Sequence, residues 1–358
     1  MSSIAASGAC LATDKGQTLP SEIKRYADGA TDFTVYRLTD PGHQSWLPAC
    51  YGRAVSRRGN FLIHASDRTG TVQAYRLDFK TGQSRLLTDA QNLVRDSLTM
   101  TSDERSFCYL DGRSVFLANL GNLHAREVYR VAEGFEAGPG FSLSEDGLYA
   151  ALIEQKSGNS RVRLITMRNG SPATLAESNQ ALSDPMPRPR RAGVLYRRGD
   201  DDLWLVNYDG AQNRKLRLAA GGLGAALWAP DGRTVLYLNI PPPDRKQLNN
   251  IRECTPDTND DKLVSNTSQF VTFNRNADAS VLVGASGSKA SPYLLLLVRS
   301  VKRELTLCEH RAGDPRTAAP VFSPNSQRVF FETDRDGKMA IYSMVVDRLV
   351  AETETEEK

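Results

Sequence analysis

The chain is 358 residues long, 40% hydrophobic and 24% charged, with a formal net charge of only +3. That balance is ordinary for a globular protein. It offers no global field for nucleic acid or an anionic membrane surface, and neither is expected as a partner.

Residues 1–30 are polar and small and are expected to form a flexible N-terminal arm. Phe33-Thr-Val-Tyr-Arg-Leu-Thr39 then has the β-branched and aromatic content of a strand. It matches the outer strand of a later repeat, Gln83-Ser-Arg-Leu-Leu-Thr88. Pro41 to Pro48 is a loop that carries His43, Gln44 and Trp46. From Ser56 onward one phrase recurs: a Ser, Thr, Asp or Gly turn, a short apolar strand, a second turn and a returning strand. Copies open at Ser56, Thr101, Ser144, Arg191, Ala229, Arg275 and Ser323. Their spacing of roughly 40 to 48 residues is the period of a four-stranded propeller blade. The spacing predicts an all-β, seven-bladed β-propeller over residues 31–347. Length alone would allow two or three domains, but a closed ring of blades is one architectural unit. An outer strand that precedes the first full blade predicts closure of the ring between residues 33–39 and 318–346, which protects an exposed sheet edge.

Two stretches interrupt the pattern. Residues 240–268 open with Pro241-Pro-Pro243, which cannot lie in a central strand; they are expected as an insertion, with a short strand at Ile251–Glu253 and a polar loop at 257–261. Residues 348–358 are acidic and are expected to be disordered.

Residue types that carry chemistry are sparse. The five cysteines are scattered and show no CxxC spacing, so neither a disulfide framework nor a zinc site is expected. Cys108 and Cys308 fall in apolar strand phrases and are expected in the core. Of the four histidines, His64 lies inside a strand, His124 in an outer-strand loop, and His43 in a loop ahead of an inner strand, which makes it the one weak catalytic candidate. No nucleophile elbow, HExxH helix or phosphate loop is present, and no metal ligands are assigned. Arg188, Arg190 and Arg191 crowd one loop and suit carboxylates or phosphates through bidentate hydrogen bonds, or else form a basic edge. With no basic apolar leader and no run of membrane-span length, a cytoplasmic protein is expected.

The segments Val35-Tyr-Arg-Leu-Thr-Asp40, Leu203-Trp-Leu-Val-Asn-Tyr-Asp209, Trp228-Ala-Pro-Asp-Gly-Arg-Thr-Val-Leu-Tyr237 and Pro320-Val-Phe-Ser-Pro324 through Tyr342 together resemble oligogalacturonate lyases of the pectate-lyase-22 type. Their Asp-Gly turns are shared with the wider TolB- and WD40-like propellers. The resemblance implies a seven-bladed ring, β-elimination on short galacturonides in pectin breakdown, a manganese-type ion held mainly by histidines, and a separate histidine base. The base position falls at Gly224-Ala-Ala226, paired metal positions at Thr317 and Ala319, and a third near Gln269. A methyl group replaces neither a base nor a ligand, and an amide offers only a weak oxygen. The expectation is a lyase-like propeller without the metal-dependent chemistry and without a cofactor, which binds an anionic saccharide or a protein partner. Arg188, Arg190, Arg191, Gln44 and Gln269 are its candidate contacts. The alternative is an active, manganese-dependent lyase rearranged around His43, Gln269 and the arginines.

Overall fold

The computed structural model describes residues 14–349, and over them the chain forms seven antiparallel sheets arranged as blades around an axis. The repeated phrase has a common local cause. In five of the seven copies a side chain at the head of the turn accepts a hydrogen bond from the backbone N–H five residues later, which closes the turn and aims the next strand. Ser56 takes Phe61, Thr101 takes Ser106, Ser144 takes Tyr149, Asn276 takes Val281 and Ser323 takes Arg328, at 2.9–3.2 Å. The strands that follow are buried on both faces, as Phe61–Ser66 and Val281–Ser286 show. Apolar side chains fill the space between neighbouring sheets: Val283 and Leu296 of blade six meet Phe331 and Tyr342 of blade seven in a single cluster. Each blade therefore depends on the next one for its core.

The ring closes as expected. Thr34–Arg37 pairs with Ala340–Val345, Val35 opposite Met344 and Arg37 opposite Tyr342. The described part of the expected arm, however, is structured. Lys24–Ala27 adds a fifth strand beside Thr34–Arg37, and Thr18–Leu19 adds one beside Ser84–Leu86. Two blades thus have five strands and five have four. Residues 1–13 and 350–358 lie outside the described residues. The expected insertion also contracts: Asn250–Thr255 and Asp260–Asn266 are the third and fourth strands of blade five. Residues 241–249, with a short 3-10 turn at Pro243–Arg245, and the 256–259 turn leave the sheet.

Two features shape the axis. In blades three to six the innermost strands carry bulges between Ala137 and Phe141, Ser183 and Met186, Leu223 and Ala226, and Phe270 and Thr272. Such irregularities bend a strand and re-aim its side chains. In blade one the innermost strand is broken. Trp46 pairs with Ala65 and Val55 with Leu62, so eight residues, 47–54, stand opposite two. This excursion crosses the axis and plugs it. Ala49 donates to Asp96 O, Met100 donates to Arg53 O, and Asn274 donates to Cys50 O. Tyr51 packs into the apolar clusters of blades four to six. The side on which the links between blades enter the inner strands is here the upper face. The side with the Ser/Asp-type turns is the lower face.

Candidate functional site

Above the plug, the upper mouth gathers carboxylates. Asp96 precedes the inner strand of blade two, Asp184 sits at the bulge of blade four with φ +49°, and Glu332 lies on Arg328–Thr333 of blade seven. Glu332 is 8% exposed and accepts a hydrogen bond from Leu47 N–H of the plug. Burial pushes its carboxyl up to about 8, which keeps it protonated at neutral pH. Desolvation by the walls, with Asp184 adding to it, also raises Asp96, although Arg95 lies 3.5 Å away and opposes the shift. Tyr51 Oη donates to Asp184 at 3.5 Å. Arg197 satisfies the carbonyls of Asp200, Leu223 and Gly224 and lies 3.4 Å from Asp184. Arg95 is half open and stacks over Trp46 at 5.1 Å. Nothing in the sequence singled out Asp96, Asp184, Glu332 or Arg95, because their partners belong to distant blades.

The residues expected from the sequence are not brought together. His43 stands on the upper face at the seam between blades seven and one, away from the axial plug contacts. Its Nε2 is 3.4 Å from Glu22 Oε2, and Arg68 Nε is 3.0 Å from Glu22 Oε1. Burial works to raise the Glu22 pKa, but hydrogen bonds from His43 and the Asp40 N–H, with the Arg68 charge, hold it below its usual value. Gln44 is engaged on both sides, its N–H to Asp67 and its Oε1 to the Met339 N–H. Gln269 is exposed at the head of blade six's inner strand, with φ +60°. The arginine turn lies on the lower face. Arg188 is buried and makes a bidentate pair with Asp257 at 2.7 and 2.9 Å, which Arg191 joins at 2.6 Å. Arg188 also donates to Gly232 O and stacks over Trp228. The carboxylate partner is thus Asp257, in the loop between the third and fourth strands of blade five. Arg190 is exposed. His64 is packed in its strand, and burial draws its pKa down to about 4.

At the positions where the resemblance implies metal and base, Ala225 packs against the cluster of blades five and six. Thr317 is exposed and bonds to Asp314 O, and Ala319 adopts the left-handed conformation that ends a short 3-10 turn. A methyl, a hydroxyl and an amide do not make a manganese donor set. Among the described residues, no group of three His, Cys, Asp or Glu side chains is placed to hold a metal ion.

Below the plug, the axis opens to the lower face as a funnel of about 460 Å³. All seven blades contribute to its wall. Met186, Trp228 and Phe322 give it apolar surface, and Arg53, Arg57 and Arg275 stand among the polar groups.

Fold and site together define a seven-bladed propeller with a plugged axis and two separate openings. Over nearly its full length that propeller resembles oligogalacturonate lyases. It is 23% identical to the oligogalacturonide lyase of Pectobacterium atrosepticum, across 92% of this chain and 97% of the relative. The oligogalacturonate lyase of Dickeya dadantii gives the same values. Among solved structures, an oligogalacturonate lyase in complex with manganese superposes with a TM-score of 0.87 at 22% identity, covering 93% of this chain and 98% of that one. The oligogalacturonate lyase of Vibrio parahaemolyticus superposes at 0.85 and 24% identity. No protein-family model matches the chain. No helix among the described residues is long and apolar enough to cross a membrane.

Proposed function

We propose that this protein is a lyase-type propeller that binds a short anionic saccharide at its upper mouth without manganese-assisted elimination. One observation carries this reading: Ala225, Thr317 and Ala319 occupy the implied base and metal positions. Elimination next to a uronate needs a cation to polarise the carboxylate and a base to take the adjacent proton. The side chains at these positions supply neither. Binding is supported by the curated relatives, both named for lyases of galacturonate oligomers, and by a mouth that retains polar groups. Arg95, half open, is the guanidinium proposed to meet a uronate, and Gln269 the amide proposed to meet its hydroxyls.

The test is digalacturonate with purified protein, with and without added manganese. The expected result is binding by calorimetry, weakened several-fold in Arg95→Gln, with no rise in the ultraviolet absorbance of unsaturated product. Product that forms with manganese and vanishes with chelator would sink the reading.

A further inference from the structure

We propose that the lower funnel, on the opposite side of the plug from the mouth, is a second site that takes a small organic oxyanion, a carboxylate or phosphate on a compact carbon skeleton. The funnel's volume of about 460 Å³ lies in the range of small-molecule sites. Its wall combines apolar surface with converging donors, as such sites do.

Three guanidiniums line it. Arg53, from the plug, is anchored by carbonyls and not by carboxylates: its Nη2 donates to Ser144 O at 3.0 Å and Glu145 O at 2.9 Å. Its Nη1 is buried with no hydrogen-bond partner among the described residues. Arg275 is held in the same way, by Nε to Trp228 O at 2.7 Å and Nη1 to Asn276 O at 3.1 Å, which leaves Nη2 uncommitted among the described residues. Arg57 is exposed at the rim. Burial lowers the pKa values of Arg53 and Arg275, yet a guanidinium remains charged. A buried N–H left without an acceptor is costly unless something completes it.

The carboxylates nearby do not complete it. Glu104 accepts from the backbone N–H of Arg57, Asp146 is taken by Ser144 and Leu148, and Asp278 by Ser280. Glu145 lines the wall, but its backbone oxygen is what Arg53 uses. None of the four forms an ion pair with Arg53, Arg57 or Arg275 among the described residues, whereas Arg188 and Arg299 on the same ring do pair with carboxylates. The missing acceptor is therefore an oxyanion from outside, with its carbon skeleton against Trp228, Phe322 and Met186. It is met first by Arg275 Nη2 and Arg57 at the open wall, and by Arg53 only once its covered Nη1 turns toward the funnel.

The test uses three sugars of one size on the full chain, galacturonate, galactose 6-phosphate and galactose, read by calorimetry. At least one charged sugar is expected to bind and galactose is not, and the preferred anion identifies the class. Arg53→Gln is expected to weaken binding by about tenfold or more. Arg57→Gln, at an exposed position that cannot unfold the ring, is expected to weaken it several-fold, and Arg95→Gln in the upper mouth to leave it unchanged. No binding by either charged sugar, equal binding of galactose, or an affinity indifferent to both Arg53→Gln and Arg57→Gln would each overturn the proposal. Digalacturonate binding that depends on Arg95 is read separately, so either proposal can fail alone.

Discussion

Glu332 shows how one side chain can couple the axis to pH. Its carboxyl is buried against the upper side of the plug and titrates at about 8, against 4.5 for an exposed glutamate. Between those values the folded chain holds a proton that the unfolded chain has released, so unfolding becomes easier as pH rises through that window. His64 acts in the opposite sense. Burial holds it neutral down to about 4, and stability is lost as pH falls from 6.5 toward that value. Replacing the acid separates the two effects. Gln at position 332 keeps an oxygen for the Leu47 N–H and carries no charge. Glu332→Gln is expected to match wild type near about pH 5 and to exceed it near about pH 8.5 by roughly 1–4 kcal/mol, measured by denaturant unfolding. A gap between the two proteins that does not change with pH would contradict the assignment.

At the scale of elements, the plug is the least regular segment and the one with the widest reach. Residues 47–54 leave blade one and touch all six other blades. Tyr51 is the side chain that spans furthest. Tyr51→Ala is expected to cost about 2–4 kcal/mol through the cavity it leaves, read as a lower denaturation midpoint. A loss below about 0.5 kcal/mol would mean that the excursion packs loosely. The blades themselves were legible in the sequence, because the turn that begins each repeat and the apolar run after it are local signals repeated at one period. The plug was not, since Leu47 to Ala54 has no period and its contacts are all remote. The Asn250–Thr255 and Asp260–Asn266 strands were hidden behind three prolines and a polar, half-exposed alternation. The candidate site was legible only as a deficit: alanine and threonine at the implied metal and base positions can be read from the sequence alone. The placement of Asp96, Asp184, Arg53 and Arg275 around one axis, and the capture of Arg188 by Asp257 from 69 residues away, come from ring geometry that no local pattern encodes.

At the scale of the molecule, the ring is held by one seam. Thr34–Arg37 is the only strand of blade seven's core that comes from the other end of the chain, apart from its outer neighbour Lys24–Ala27. A chain lacking residues 1–38 keeps four strands in each of six blades, loses Thr18–Leu19 from blade one, and leaves the edge of Ala340–Val345 unpaired. It is expected to lose several degrees of melting temperature and to associate through that edge. Light scattering and thermal unfolding check this, and a stable monomer with the wild-type midpoint would show that the seam is dispensable.

The same seam sets an order of events during synthesis. Val35 leaves the ribosome long before Met344, the residue it will face, and the plug emerges before all six of the other blades it will touch. The first-made segments must therefore wait, solvated and unpaired, until the last repeat is released. A pause or truncation late in translation leaves the whole circle open, however well the middle has folded.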